Sequence, residues 1–142
     1  MTDNAKAIRR FFGEYRFLSN FYPVCINMDG IEYPSVEHAY QAAKTVDRRE
    51  RVAIAKCATA GEAKKLGQKC AIRPDWDAVK IEIMRGLLKK KFSYRRLKKA
   101  LLDTGEAYLE EGNNWGDRFW GVCNDIGENH LGKLLMEIRD EL

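Results

Sequence analysis

An α+β fold, mainly helical with a small N-terminal antiparallel sheet, is predicted by three features of the sequence. Residues 11–34 are rich in aromatic and β-branched side chains, and Asp29-Gly30 separates Cys25-Ile26 from Ile31-Glu32-Tyr33. Asp-Gly between two extended runs is a hairpin signal. From Ser35 onward apolar residues recur at helical spacing, and residues suited to begin a helix recur with them.

Each element follows in order. Ser35 after Pro34 suits an N-cap, and Val36, Tyr40 and Ala43 form an apolar stripe behind it. Thr59-Ala60-Gly61-Glu62 has the form of a capping box and predicts a helix to about Lys69. Pro74-Asp75 opens a long helix with Trp76, Val79, Ile83, Leu87 and Leu88 on its core side. Ser93 is expected to cap a helix over Tyr94–Asp103, stopped by Thr104-Gly105. Residues 106–126 read as short extended pieces with a tight loop over Asn113–Asp117. A last helix is expected from about Glu128 to Glu141, with Leu131, Leu134, Leu135 and Ile138 inward. At 142 residues, without a repeat or a Pro/Gly/Ser linker, residues 1–142 are expected to form one domain.

Composition narrows the function. The first fifteen residues contain no apolar stretch of the roughly 7–15 residues a signal peptide needs. No run nears the roughly 18 apolar residues of a membrane span, so a cytoplasmic protein with no membrane partner is expected. Cys25, Cys57, Cys70 and Cys123 are scattered, with no CxxC pair, and His38 and His130 stand alone. That spacing does not suit zinc, so neither a metal nor another cofactor is expected, and the thiols read as reduced structural residues. The net charge of +4 is too small by itself to indicate a nucleic-acid binder but suits a small anionic ligand. Phosphate-cradling loops, dinucleotide fingerprints and serine-nucleophile elbows are all missing from the sequence.

Four clusters carry residues capable of chemistry. Glu37, Gln41 and Lys44 lie at i, i+4 and i+7 and share one helix face beside the apolar stripe. Glu37 and Lys44 stand about 10 Å apart along the axis, near enough for long side chains to converge on a ligand. A solvated face with a dipole-matched glutamate fits the same pattern. In Trp115-Gly116-Asp117-Arg118-Phe119-Trp120-Gly121, a carboxylate between tryptophans suits a planar base and a ribose hydroxyl. It equally suits an aromatic turn whose Asp caps local amides. Ser19 and Asn20 interrupt the aromatic run from Phe17 to Pro23, as pocket residues or as a turn in which Asn20 bonds its own backbone. Residues 89–99 carry seven basic side chains among eleven, a surface for phosphate or simply a solvated helix face.

Taken together, these segments resemble the NADAR family, also called YbiA-like. The resemblance runs from Phe17 to Arg139 through Phe17–Pro23, Tyr33–His38 with Gln41 and Lys44, Asp75-Trp76-Asp77 and Lys91-Phe92. It continues through Leu102–Gly105, Asp117–Gly121, Asn129–Gly132 and Leu135–Glu137. It implies an N-glycosidase that cleaves a ribose C1–nitrogen bond next to a phosphate. The substrate would be a riboflavin-pathway ribosylamino-pyrimidine phosphate or an ADP-ribosylated guanine in nucleic acid.

Residue by residue, the resemblance makes Glu37 the general acid/base and Lys44 an amine able to form a Schiff base with the opened ribose. Asp117 joins them as a catalytic residue at the ribose, and Trp120 would contact the base. Asn20, Gln41 and Trp76 would bind substrate. Cys123 stands where some members carry glycine, a difference that bears on fine specificity. The amine must be neutral to attack, so its pKa must lie below the usual value of about 10.4. The arrangement expected is an acid and an amine two turns apart, sharing a cavity beside an indole. A noncatalytic nucleotide- or nucleic-acid-binding module built on residues 89–99 is the alternative, with salt-sensitive binding indifferent to Glu37. An interaction protein with a vestigial pocket is a third, against which intact Glu37, Lys44 and Asp117 weigh.

Overall fold

The computed structural model describes residues 6–142, so the first five residues of the N-terminal stretch read above lie outside it. In chain order the elements are β1 (Ala7–Ile8), a 3-10 helix (Gly13–Leu18), β2 (Pro23–Met28), β3 (Ile31–Ser35), α1 (Val36–Ala43) and α2 (Arg48–Ala55). There follow α3 (Ala60–Gly67), α4 (Trp76–Lys91), α5 (Arg95–Leu102), β4 (Tyr108–Leu109), β5 (Gly112–Asn113), β6 (Val122–Cys123) and α6 (His130–Glu141). The fold is α+β and mainly helical, as the sequence predicts. The chain divides into two compact units, Asn20–Lys91 and the described residues to Ser19 with Phe92–Leu142.

Within Asn20–Lys91, β2 and β3 form the predicted antiparallel hairpin, pairing Met28 with Ile31 and Ile26 with Tyr33. Asp29 and Gly30 both have positive φ, +52° and +84°, which matches a turn to the twist of the two strands. Ile31, Tyr33 and Ser35 point inward along β3 while Glu32 and Pro34 point out. The inward alternation delivers Ser35 to the start of α1, where its Oγ accepts from the His38 backbone N–H at 3.1 Å. His38 is a satisfied core histidine, with Nδ1 2.7 Å from Ser35 Oγ and Nε2 3.0 Å from the Cys57 carbonyl.

The sheet expected across residues 11–34 begins later than the pattern implied. Gly13–Leu18 is a 3-10 helix, entered through Gly13 at φ +63°, because this stretch has no period-two alternation to hold a strand. Helix α2 was not foreseen. Its sequence, Arg48-Arg49-Glu50-Arg51-Val52-Ala53-Ile54-Ala55, buries only Ile54 and shows no apolar stripe. Asp47 starts it by accepting from Arg49 N at 2.8 Å, and Arg51 ties it to the Thr45 carbonyl and to Asp29, each at 2.8 Å.

The capping box at Thr59 is present in full, and α3 ends at Gly67, two residues short of Lys69. Helix α4 buries Trp76, Leu87 and Leu88 as expected, together with Met84 and Lys91, while Val79 and Ile83 are half-buried. Lys91 is fully enclosed, with its ammonium 5.7 Å from the Tyr22 ring. Lys90 donates to the Asn27 carbonyl at 2.5 Å. The basic run 89–99 therefore turns one lysine into the core and ties down another, instead of presenting one continuous charged face.

In the other unit, β1 pairs in parallel with β4, and β5 in parallel with β6. Each pair is two residues long, too short to leave a periodic trace. Tyr94, whose side chain makes no capping hydrogen bond, occupies the N-cap of α5, where Ser93 is expected. Helix α6 begins at His130, after Asn129 in the left-handed conformation at φ +54°. The Asn129 amide accepts from Glu111 N at 3.0 Å and donates to the Leu109 carbonyl at 2.9 Å, and the four predicted apolar residues of α6 are buried. Gly132 faces the same carbonyl, where a β-carbon would collide, so glycine lets α6 lie against β4. Among the described residues no helix is long and apolar enough to cross a membrane.

Candidate active site

Helix α1 places the acid and the amine. All eight of its residues are buried, so the face carrying Glu37 and Gln41 is enclosed by protein and not solvated. A buried carboxylate and amide are costly unless they are paired, and here they pair with each other. Gln41 Nε2 donates to Glu37 Oε2 at 2.6 Å, a short, charge-assisted bond across one helical turn. Glu37 is 8% exposed and Gln41 3%.

Asn20 joins this group from the loop before β2. Its carbonyl accepts from Glu37 N at 3.0 Å, which satisfies one of the first-turn amides of α1. Its side-chain Nδ2 reaches Met84 Sδ at 3.6 Å, so Asn20 spans from the start of α1 to the middle of α4. Asn20 Oδ1 and Gln41 Oε1 are buried without a hydrogen-bond partner. Trp76, at the start of α4, packs against Tyr40 of α1 with ring centroids 5.1 Å apart and planes at 53°. Lys44 follows at the end of α1, its ammonium 5.8 Å from the Tyr40 ring centre. The indole and the amine thus both lie near the Tyr40 ring.

Lys44 is half-buried, and its carbonyl accepts from Arg73 N at 2.7 Å. Burial pushes its pKa below the usual 10.5. The Glu37 carboxylate opposes that shift and the nearby ammonium groups of Lys64 and Lys80 add to it, while Cys70 opposes it. The net direction is downward, so desolvation outweighs the attraction of the Glu37 charge. This enriches the neutral amine that a covalent mechanism needs. Lys64 on α3, Lys80 on α4 and Gly67 of α3 were not singled out by sequence reasoning. A glycine inside a helical run was the one available signal, and the two lysines come close only through the packing of three helices.

Asp117 and Trp120 belong to the other compact unit. Asp117 Oδ1 accepts from the backbone amides of Phe119 at 3.1 Å and Trp120 at 2.9 Å. Asn113 locks the same turn, accepting from Asp117 N at 3.0 Å and donating to its carbonyl at 2.9 Å. One oxygen of the Asp117 carboxylate is therefore committed to the turn. Trp120 is half-buried, edge-on to Phe119 at 4.9 Å, while Trp115 is 61% exposed. Of the seven residues expected at the site, Asn20, Glu37, Gln41, Lys44 and Trp76 fall within one unit, and Asp117 and Trp120 within the other.

A family model described as the NADAR domain matches residues 9–142. The chain is 41% identical over 136 residues to an N-glycosidase of Nostoc punctiforme, covering 90% of this chain and 86% of that protein. It is 35% identical over 133 residues to N-glycosidase YbiA of Escherichia coli, covering 91% and 82%. A riboflavin biosynthesis protein of Vibrio vulnificus is 38% identical over 130 residues, which span 89% of this chain and 35% of that protein. The NMR structure of E. coli YbiA superposes with a TM-score of 0.83 at 33% identity, covering 96% of this chain and 85% of that one. Sequence, family model and fold agree: the chain belongs to the NADAR family and is an enzyme of the N-glycosidase class.

Proposed function

We propose that this enzyme hydrolyses the ribose C1–nitrogen bond of a phosphorylated ribosyl-base. The substrate is a riboflavin-pathway ribosylamino-pyrimidine phosphate or an ADP-ribosylated guanine. The observation that carries this reading is the enclosed carboxylate of Glu37 on the same helix as a half-buried lysine whose ammonium is disfavoured by burial. The riboflavin-related name of the V. vulnificus relative supports the first substrate. On this reading the enzyme works in the cytoplasm.

In this mechanism the neutral Lys44 Nζ bonds to C1 as the C1–base bond breaks. The electron pair leaves with the base nitrogen, which takes a proton from Glu37. The proton on the new ammonium passes to the ring oxygen as the ribose opens, leaving a protonated Schiff base. Water then adds to C1 and gives its proton to the Glu37 carboxylate, and collapse of the adduct returns the sugar aldehyde and the free amine. Proton shuttling of this kind contributes roughly 100- to 10,000-fold in rate. Trp76 supplies aromatic surface for the base. Asn20 acts on the acid, its carbonyl accepting from Glu37 N at 3.0 Å at the start of α1. The family resemblance makes Asp117 catalytic as well.

The test incubates the protein with both substrate types and identifies products by mass spectrometry. Release of free base from one of them is expected, and Glu37→Gln and Lys44→Ala should each abolish it while circular dichroism stays unchanged. Borohydride should trap a sugar adduct on the wild type and none on Lys44→Ala. Base release that persists in Glu37→Gln would end this assignment. Salt-sensitive binding that survives Glu37→Gln, with no base released from either substrate, would point to the noncatalytic module.

A further inference from the structure

We propose that Gln41 is a positioning residue that clamps the Glu37 carboxylate, and that Gly67 of α3 is the seat against which the clamp is held. The inference rests on the glycosidase reading above and reassigns Gln41 from contacting substrate to acting through Glu37.

Three observations meet at this residue. Its Nε2 is spent on Glu37 Oε2 at 2.6 Å. Its Oε1 is buried with no partner, so it is out of reach of a ligand as well as of water. And that oxygen lies directly over Gly67: a β-carbon built there would sit 2.9 Å from Gln41 Cβ and 3.0 Å from Cδ, and closer still to Oε1. Real side chains do not approach so closely, so an alanine at 67 must displace Gln41 at its root as well as at its tip.

The orientation of the amide follows from charge. Turned over, it would set Oε1 against a carboxylate oxygen, two acceptors facing each other, and Glu37 would lose its donor. The observed orientation leaves one acceptor unsatisfied, at a cost of about 1–3 kcal/mol by the usual penalty for a buried polar atom. Gly67 itself disfavours a helix by about 1 kcal/mol relative to alanine. Its φ is not in the left-handed region, so backbone conformation does not require glycine here. Two local costs on facing helices are accepted at one contact, and what that contact provides is a fixed position for Glu37 Oε2.

The experiment compares the wild type with Gln41→Met and Gly67→Ala. Methionine matches the length of glutamine and offers no N–H. With a ribosylamino-pyrimidine phosphate or an ADP-ribosylated guanine, whichever is cleaved, kcat should fall about 10- to 100-fold in Gln41→Met while KM stays within about twofold. Gly67→Ala, which lies behind Gln41, should show the same split. A rise in KM with kcat preserved would make Gln41 a substrate contact and overturn the proposal. Unchanged constants in Gln41→Met would also overturn it.

A second readout needs no substrate. The side-chain carboxyl carbon of Glu37, followed by 13C NMR, should titrate at higher pH in Gln41→Met than in the wild type, because a donor to the charged form has gone. Lys44 and Glu37 act on each other through their charges, and Lys64 and Lys80 act on Lys44; all three lysines are present in both proteins, so the difference reports the amide. Coincident titrations would sink the clamp even in a protein that cleaves neither substrate. An inactive wild type with shifted titrations would instead refute only the glycosidase reading.

Discussion

Replacing the buried lysine at position 91 should abolish a pH dependence of stability that the wild type carries. Lys91 is fully enclosed, and burial lowers its pKa from the usual 10.5 to about 7. At about 1.4 kcal/mol per tenfold change in proton affinity, holding the ammonium there makes the native state about 5 kcal/mol less stable below pH 7 than an exposed lysine would. Between pH 7 and 10.5 the unfolded chain binds the proton and the folded one does not. Wild-type stability attributable to this group therefore rises with pH across that window, by about 1.4 kcal/mol per pH unit at most. Lys91→Met keeps the length and removes the charge, together with the ammonium's contacts, the one with the Tyr22 ring among them.

Urea unfolding of both proteins at pH 6.5, 7.5, 8.5 and 9.5 measures the difference. Cys25, Cys57, Cys70 and Tyr33 also have raised pKa values through burial, which makes stability fall with pH at the alkaline end. Those groups are present in both proteins and cancel in the comparison. The stability of Lys91→Met relative to the wild type should be highest at pH 6.5 and fall steadily toward pH 9.5. Parallel pH profiles for the two proteins would refute the claim that burial lowers the proton affinity of this amine.

Three further outcomes follow from the geometry. Borohydride trapping of ribose 5-phosphate on Lys44, which needs no base to leave, should rise with pH to a plateau reached below pH 10.5, and in Glu37→Gln that plateau should move to lower pH because the carboxylate that supports the ammonium is gone; mass spectrometry of the adduct across pH 6–10 reads both. Asp117→Ala should lose about 1–2 kcal/mol in urea unfolding, since two backbone amides lose their acceptor, whereas Asp117→Asn keeps the turn and should lose activity alone. Thr59→Ala opens the capping box of α3 and should cost about 1 kcal/mol, with kcat unchanged.

How much of this was legible in the sequence depends on the length scale. Ser35, Thr59 and Asp29-Gly30 announce their structures because a cap or a turn is settled by neighbours a few residues away. The i, i+4, i+7 spacing of Glu37, Gln41 and Lys44 placed them on one face for the same reason. Whether that face meets water is decided by α3 and α4, residues 60–91, and periodicity along α1 contains no information about them. Helix α2 was invisible because its single core residue, Ile54, makes no pattern. Lys91 was counted as surface charge because a lysine inside a basic run is normally solvated. Gly67 and Met84 matter for what lies across from them, which spacing cannot express.

The enclosure of α1 sets how this enzyme responds to systematic mutagenesis. Val36, Ala39, Ala42 and Ala43 have at most 1% of their surface exposed, and they alternate with Glu37 and Gln41 on eight consecutive positions. A scan scored by enzyme output alone would report an unbroken block of intolerance, in which proton transfer and packing look alike. Measuring protein abundance beside output separates them: at Ala39 a larger residue should deplete both, while at Glu37 glutamine should leave a fully populated, silent protein.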